Sequence, residues 1–291
     1  MSDLAAKTHE ICRLLEIKPA RSKGQNFLIN DKIYDGIIAA ADLQPTDTVL
    51  EIGPGLGFLT AKLAKKVRRV IAVELDDKLA AYLQTGIDAA DLDNVTVVNE
   101  DILKFNLAAH LAAAEKYKIV ANLPYNITSI FLRQFLSVDR RPVSLVLMLQ
   151  KEVAERICAA PPEMSILAVS IQYYAVPKII REVKAGNFWP EPEVDSAIIR
   201  LDVHDRTAAK DASVLYAGES AENKKFFQMI KFGFSSKRKM LKNNLAAGLR
   251  IKSETMAALL VKQGFPVGIR AEALSVEDWR KLFAALRTFM V

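Results

Sequence analysis

The stretch Thr48-Val-Leu-Glu-Ile-Gly-Pro-Gly-Leu-Gly57 sets the fold class. Thr48–Ile52 is a short apolar run of the kind a strand buried on both faces needs. The glycines that follow are spaced G-x-G-x-G, which lets the backbone turn tightly and approach a ligand closely. Outward from it, Arg69–Val73, Asn94–Val98, Lys118–Ala121 and Ser144–Leu149 read as further strands. Amphipathic stretches such as Leu59–Lys66 and Asp77–Leu83 lie between them. Strands alternating with helices give an α/β fold with a mostly parallel sheet covered on both faces. Two later runs, Ile179–Val183 and Ala197–Leu201, flank a proline-bearing loop, Phe188–Pro192, and predict a hairpin at the sheet's edge.

The character changes after Leu201. Residues 205–222 are small and polar and suit a linker. From about Asn223 to the end the apolar spacing is helical. Residues 1–204 carry 24 basic and 26 acidic side chains, whereas residues 205–291 carry 16 and 8. The whole positive excess therefore sits in the C-terminal part, which points to a polyanionic partner. Residues 223–252 hold nine Lys or Arg and no Asp or Glu. Lys237, Arg238, Lys239 and Lys242 are the candidates for phosphate contact, against the plainer alternative of a solvated basic face. Phe226, Phe227, Ile230 and Phe234 recur at helical spacing and read as core.

Two cysteines and three scattered histidines predict neither a disulfide framework nor a metal centre. No run approaches a membrane span, and the N-terminus lacks the features of a secretory signal. A cytoplasmic protein is expected.

Ligands of open α/β sheets bind outside the carboxyl ends of the strands. The chemistry-bearing residues all fall there. Gly53 and Gly55 follow the first strand. The loop lacks the later glycine of the dinucleotide fingerprint, and no Gly-Lys-Ser/Thr follows, so neither a nicotinamide enzyme nor a P-loop is expected. Glu74 ends the second strand, where a carboxylate can accept both hydroxyls of a ribose. Asp101 follows the third and can accept from an adenine amino group, with Ile102 on the ring; a helix N-cap is its alternative. Asn122-Leu-Pro-Tyr125 follows the fourth. An exocyclic amine on a purine is a poor nucleophile because its lone pair is delocalised. The Asn122 side-chain oxygen and the Leu123 carbonyl can accept its two N–H groups and so orient it. Pro124 stiffens the turn, and Tyr125 can stack on an extracted base.

With these motifs in view the chain resembles the KsgA (RsmA) family, the small-subunit rRNA adenine N6,N6-dimethyltransferases. The likeness starts at Gly-Gln-Asn-Phe-Leu (24–28) and runs through Glu-Ile-Gly-Pro-Gly (51–55) and Asn-Leu-Pro-Tyr-Asn-Ile (122–127). It continues in Gln-Lys-Glu-Val-Ala-Glu-Arg (150–156), Phe-Trp-Pro-Glu-Pro-Glu-Val-Asp-Ser (188–196) and Ser-Lys-Arg-Lys-Met-Leu-Lys-Asn-Asn-Leu (236–245). It implies a Rossmann-like S-adenosylmethionine-dependent methyltransferase domain over 1–204, with a cofactor-closing segment 1–30, and a helical RNA-binding domain over 223–291. It implies that Asn26, Leu28, Gly53, Gly55, Glu74, Leu75, Asp101, Ile102 and Asn122 hold the cofactor. It also implies that Phe188 faces Tyr125 across the target base, beside Asn122, Leu123 and Pro124. The implied substrate is a pair of adjacent adenosines in a hairpin loop near the 3′ end of 16S rRNA. Each gains two methyl groups on the 30S particle or its precursor during ribosome biogenesis, and the enzyme acts as a monomer without metal. The chain departs from the family's pattern at Glu193, where Lys is frequent, at Glu191, in the short 159–165 loop and in the 205–222 linker.

Two rivals to this reading stay open on the sequence. One is an adenine methyltransferase of the antibiotic-resistance type acting on large-subunit rRNA. Asn126-Ile127 after Tyr125 and the Phe-x-Pro-x-Pro-x-Val-Asp-Ser run favour the small-subunit enzyme over it. The other is a non-enzymatic RNA-binding factor on the same fold, which would not need the intact Asn-Leu-Pro-Tyr set.

Overall fold

The structure, a computed structural model, describes residues 3–17, 25–124, 127–204 and 221–290. The chain divides into two compact units. The first comprises residues 1–135, 141–154 and 177–203; the second comprises 136–140, 155–176 and 204–291.

The first unit is built on a seven-stranded sheet. Its strands are β2 (Thr48–Ile52), β3 (Arg69–Glu74), β4 (Val95–Asn99), β5 (Lys118–Asn122), β6 (Ser144–Gln150), β7 (Ala175–Val183) and β9 (Ser196–Val203). The order is β4-β3-β2-β5-β6-β9-β7. Strands β2 to β6 run parallel, and β9 returns antiparallel to β6. Each strand expected from the sequence forms to within a residue or so at either end, and the expected 179–183 and 197–201 runs lengthen into β7 and β9. The central strand β2 is buried at every position, whereas edge strand β4 is only half-buried or exposed along its length. That contrast is what coverage of both faces predicts for the middle of a parallel sheet.

Helices α2 (Asp31–Ala41), α3 (Phe58–Ala64) and α4 (Asp77–Ala89) cover the sheet. Ile33 and Ile37 of α2, Leu63 of α3 and Leu83 of α4 join Val49, Val70 and Val146 of the strands in one buried cluster. Two of these helices start on a side chain that stops them fraying. Asn30 accepts from Lys32 N, and Asp76 accepts from Lys78 N and Leu79 N. The N-terminal helix α1 (Asp3–Leu14) buries Cys12 against Leu56 and Leu79. A separate two-stranded ribbon pairs β1 (Phe27–Leu28) antiparallel with β8 (Phe188–Trp189).

The second unit holds helices Ala221–Gly233, Leu241–Leu249, Ser253–Lys262 and Val276–Leu286. The sequence reading places a helical domain over 223–291. The segment 155–176, which carries α8 (Ile166–Gln172), also belongs to the second unit. The reason is a buried polar and aromatic junction. The Tyr173 hydroxyl donates to Asn223 Oδ1 at 2.8 Å, and its ring stacks on Phe226 at 4.6 Å. Phe226 and Ile230 are fully buried, so the aromatic stripe is core. The short helices α5 (Leu107–His110), α6 (Thr128–Leu136) and α7 (Lys151–Ile157) complete the order. The 205–222 linker lies outside the described residues as far as 220.

Candidate functional site

Strand order reverses between β2 and β5: the chain winds outward through β3 and β4, then returns beside β2. A crevice opens at such a switch point, outside the carboxyl ends of the strands. Here it is a cavity of about 370 Å³. Its walls come from the turns after β2, β3, β4 and β5 and from β1.

The glycine turn forms its floor. Gly53 and Gly55 both have φ in the left-handed region, at 63° and 55°, which glycine adopts without the clash a Cβ brings. A Cβ on Gly55 would also stand 3.4 Å from the Phe27 ring. At the end of β3, the buried Glu74 carboxylate accepts from Gly55 N at 3.0 Å and from Asp76 N at 2.9 Å. Burial raises its pKa above the ordinary carboxylate value, with these backbone donors opposing the rise. Leu75 beside it is 68 % exposed and lines the cavity, unlike the other large apolar side chains of the strand ends. Asp101 also lines it, and one of its oxygens accepts from Leu103 N at 3.0 Å. Asp101 therefore caps a tight turn, not a helix, and Ile102 is buried next to it.

Asn122 and Leu123 close β5. Asn122 Nδ2 donates to the Asn26 carbonyl at 3.4 Å, and Leu123 N donates to Met148 O at 3.3 Å. Holding the amide nitrogen on Asn26 turns the other branch of the side chain, the Oδ1 acceptor, away from that carbonyl. Pro124 stands over the glycine turn, 4.0 Å from where a Gly53 Cβ would be.

All the residues expected to hold the cofactor, together with Leu123 and Pro124, thus line one cavity. Tyr125 lies outside the described residues. Phe188 is not among the cavity's lining residues. It is 3 % exposed and packs in the main core cluster with Leu28 and Tyr34, because the β1–β8 register sets it opposite Leu28. Phe188→Ala would disturb the core by about 3–5 kcal/mol. Lys237, Arg238 and Lys239 are exposed and Lys242 is half-buried, all in the second unit.

Several cavity residues carry no assigned role in the sequence reading. Phe27 is one, inside the Gly-Gln-Asn-Phe-Leu run. Tyr34 donates its hydroxyl to Leu28 O at 3.2 Å, and burial raises its phenol's pKa. Glu51, within the glycine stretch, lines the cavity with only 1 % exposure, and neither carboxylate oxygen has a hydrogen-bond partner within bonding distance among the described residues. Burial raises its pKa to about 8; the nearby Thr60 hydroxyl opposes this and the Glu74 charge adds to it. Its position two residues before Gly53 was the available signal.

A sequence profile for ribosomal RNA adenine dimethylases matches residues 18–287. The chain belongs to this family. A ribosomal RNA small subunit methyltransferase A from Dehalococcoides mccartyi is 41% identical over 279 residues, covering 96% of this chain and 92% of the relative. One of the same name from Alkaliphilus oremlandii is 37% identical over 283 residues, 94% and 93% of the two chains. Among solved structures, a dimethyladenosine transferase from Plasmodium falciparum superposes with a TM-score of 0.77 at 24% identity, over 90% of this chain and 98% of that one. The 23S rRNA methyltransferase ErmE gives 0.70 at 27% identity, over 90% and 100%. The family match takes in nearly all of both compact units.

Proposed function

We propose that this rRNA adenine dimethyltransferase uses S-adenosylmethionine to convert two adjacent adenosines near the 3′ end of small-subunit rRNA to N6,N6-dimethyladenosine. It acts as a cytoplasmic monomer on the 30S particle or its precursor. The observation that carries the reading is the meeting, in one cavity, of the glycine turn, Glu74, Asp101 and the Asn122-Leu-Pro turn. The named relatives at 37–42% identity direct it to the small subunit. Methylation of large-subunit rRNA, for which ErmE is named, is an outcome the test below separates.

The residues fit that cofactor. A carboxylate offers about four lone-pair sites, and two of Glu74's are taken by backbone N–H groups. The other two match the two hydroxyls of a ribose. Asp101 accepts from the adenine amino group, with Leu75 and Ile102 against the ring. Gly53 and Gly55 let the chain approach closely, and Asn26 and Leu28 form the facing wall. When bound, S-adenosylmethionine supplies an electrophilic methyl group on a sulfonium sulfur.

The protein's own contribution to the chemistry is orientation. Asn122 Oδ1 and the Leu123 carbonyl accept the two hydrogens of the target amine, which favours a pyramidal nitrogen with its lone pair directed at the methyl group. A proton leaves that nitrogen only once it bears the extra substituent, so acceptors suffice and no histidine base is needed. Tyr125 stacks on the extracted base. Phe188, beside Leu28 at the β1–β8 ribbon, faces Tyr125 across that base. Lys237, Arg238, Lys239 and Lys242 contact RNA phosphates.

The test is to incubate the purified protein with S-adenosylmethionine and unmethylated 30S particles, then map modified nucleotides by mass spectrometry. Free large-subunit rRNA serves as the competing substrate. Two adjacent adenosines of the small subunit, each gaining two methyl groups, are expected. Methylation confined to large-subunit rRNA, or none, would overturn the proposal.

A further inference from the structure

The wall of the cavity facing the glycine turn is the ribbon strand β1, and its only strand partner among the described residues is β8. A ladder of two residues a side is marginal by itself. Yet the Phe27 ring sits close enough to Gly55 that small shifts of β1 change the cavity's shape. Burial of Leu28 and Phe188 in the core anchors one face of the ribbon, and hydrogen bonds at its end fix the rest.

Asn187, immediately before β8, makes four hydrogen bonds that do so. Its carbonyl accepts from Ile29 N at 2.8 Å, just beyond β1. Its Oδ1 accepts from Asn30 Nδ2 at 2.7 Å. Its Nδ2 and its backbone N both donate to Lys184 O, at 2.9 and 3.0 Å. Asn30 in turn caps α2 by accepting from Lys32 N, and α2 is seated in the core through Ile33 and Ile37. The turn at 184–187 is fixed from its other side by Asp195, which accepts from Ala185 N at 3.0 Å and pairs with Lys184 Nζ at 2.7 Å. The Asn30–Asn187 bond thus ties the β8 side of the ribbon to the core helix, beside the Tyr34 hydroxyl that holds Leu28 O on the β1 side.

We infer that Asn187 is a positioning residue for cofactor binding, which it serves by locking β1 to α2 through Asn30. This rests on reading the cavity as the S-adenosylmethionine site. Asn187 itself does not line the cavity, so it acts only through the strand it places.

The test uses the full chain and four variants: Asn187→Ala, Asn187→Asp, Asn30→Ser and the double Asn187→Ala/Asn30→Ser. Serine keeps a capping oxygen for α2 but is too short to reach Asn187, and Asp keeps the oxygen that Asn30 donates to. Binding of S-adenosylmethionine is measured by calorimetry, turnover on 30S particles by methyl incorporation, and folding by thermal melting. Asn187→Ala and Asn30→Ser should each weaken binding by about three- to tenfold, the range one neutral hydrogen bond spans. The KM for cofactor should rise with it while kcat at saturation holds. Asn187→Asp keeps the acceptor for Asn30 but loses the Nδ2 donor to Lys184 O, so it should weaken binding less than Asn187→Ala does, and the double variant should lose no more than Asn187→Ala alone, because the bond to Asn30 is already absent there. Unchanged binding in Asn187→Ala, additive losses, or equal losses in Asn187→Asp and Asn187→Ala would each overturn the inference. A wild-type protein that fails to bind S-adenosylmethionine would instead overturn the cofactor reading, and this inference with it.

Discussion

Glu74→Gln is nearly isosteric, so it leaves no hole, and its consequences follow from where the two carboxylate oxygens sit. One accepts from Gly55 N at 3.0 Å and the other from Asp76 N at 2.9 Å. In glutamine one oxygen becomes an NH2, which cannot accept and which faces a backbone donor. One of the two backbone N–H groups then loses its partner in a buried place, at about 1–3 kcal/mol of stability. The same change removes charge from the remaining acceptor and takes away one of the two sites left for a ribose. A hydrogen bond to a charged group contributes about 1.5–3 kcal/mol, so affinity for S-adenosylmethionine should fall roughly 10- to 150-fold. Calorimetric titration at pH 7.5, with thermal melting in parallel, measures both effects. Because the glycine turn is itself held by Glu74, the two losses should appear together. Wild-type affinity in Glu74→Gln would refute the ribose assignment, and a wild-type melting temperature would show that the Gly55 and Asp76 donors do not depend on the carboxylate.

Asn122→Ala should lower turnover on 30S particles by about a hundredfold or more while cofactor affinity changes far less; near-normal turnover at saturating cofactor and RNA would sink the orientation mechanism. Tyr125→Phe, assayed in the same way, should keep much of the activity because the ring does the stacking. Reversing Lys237, Arg238 and Lys239 to Glu should weaken RNA binding and flatten its salt dependence while calorimetry finds cofactor affinity unchanged; equal loss of both would mean the segment is structural. Glu51 has its pKa raised to about 8, so between about pH 4.5 and pH 8 the native state holds a proton that the unfolded state lacks. Stability should therefore fall as pH rises through that window, by up to a few kcal/mol, and level off above it. Glu51→Gln should remove this slope, gaining on the wild type at pH 9 but not at pH 5, and parallel urea-melting profiles for the two proteins would contradict it.

The parallel strands could be read from the sequence because burial on both faces leaves a continuous apolar run, as in Thr48–Ile52 and Ser144–Leu149. The site residues could be read for a related reason. Gly53, Glu74 and Asn122 are each the first polar or glycine position after such a run, and Asp101 follows the β4 run by three residues, so finding the strand end leads to the residue. The ribbon had no such signal. Two residues of β1 and two of β8 carry no periodicity, and their tie joins side chains 157 positions apart in the chain. The Phe188 motif was recognisable, but the register that buries its ring beside Leu28 is a tertiary fact. The placing of 155–176 with the C-terminal helices turns on the Tyr173 hydroxyl meeting Asn223, a contact that local patterning cannot show. Glu51 is legible only by its position two residues before Gly53. Only burial without a partner marks it as unusual.

The site is therefore held to different tolerances on its two sides. Toward the sheet, Gly53, Glu74 and Asn122 inherit their spacing from parallel ladders whose register pairs Ile52 with Val73 and with Ala121. A slip of one residue there would exchange the two packed faces of a whole strand and misfit its side chains against the covering helices, so the core itself enforces the geometry. Toward the opposite wall, Phe27 and Leu28 depend on a two-residue pairing and the Asn30–Asn187 bond. Single substitutions on the sheet side that keep the core should leave the spacing intact and remove only their own contact. Substitutions at the amide pair should leave every cofactor contact chemically present yet displace several at once. The first kind should change affinity by the worth of one interaction. The second should shift binding with no contact residue altered, and that difference separates a residue that holds the ligand from one that holds the wall.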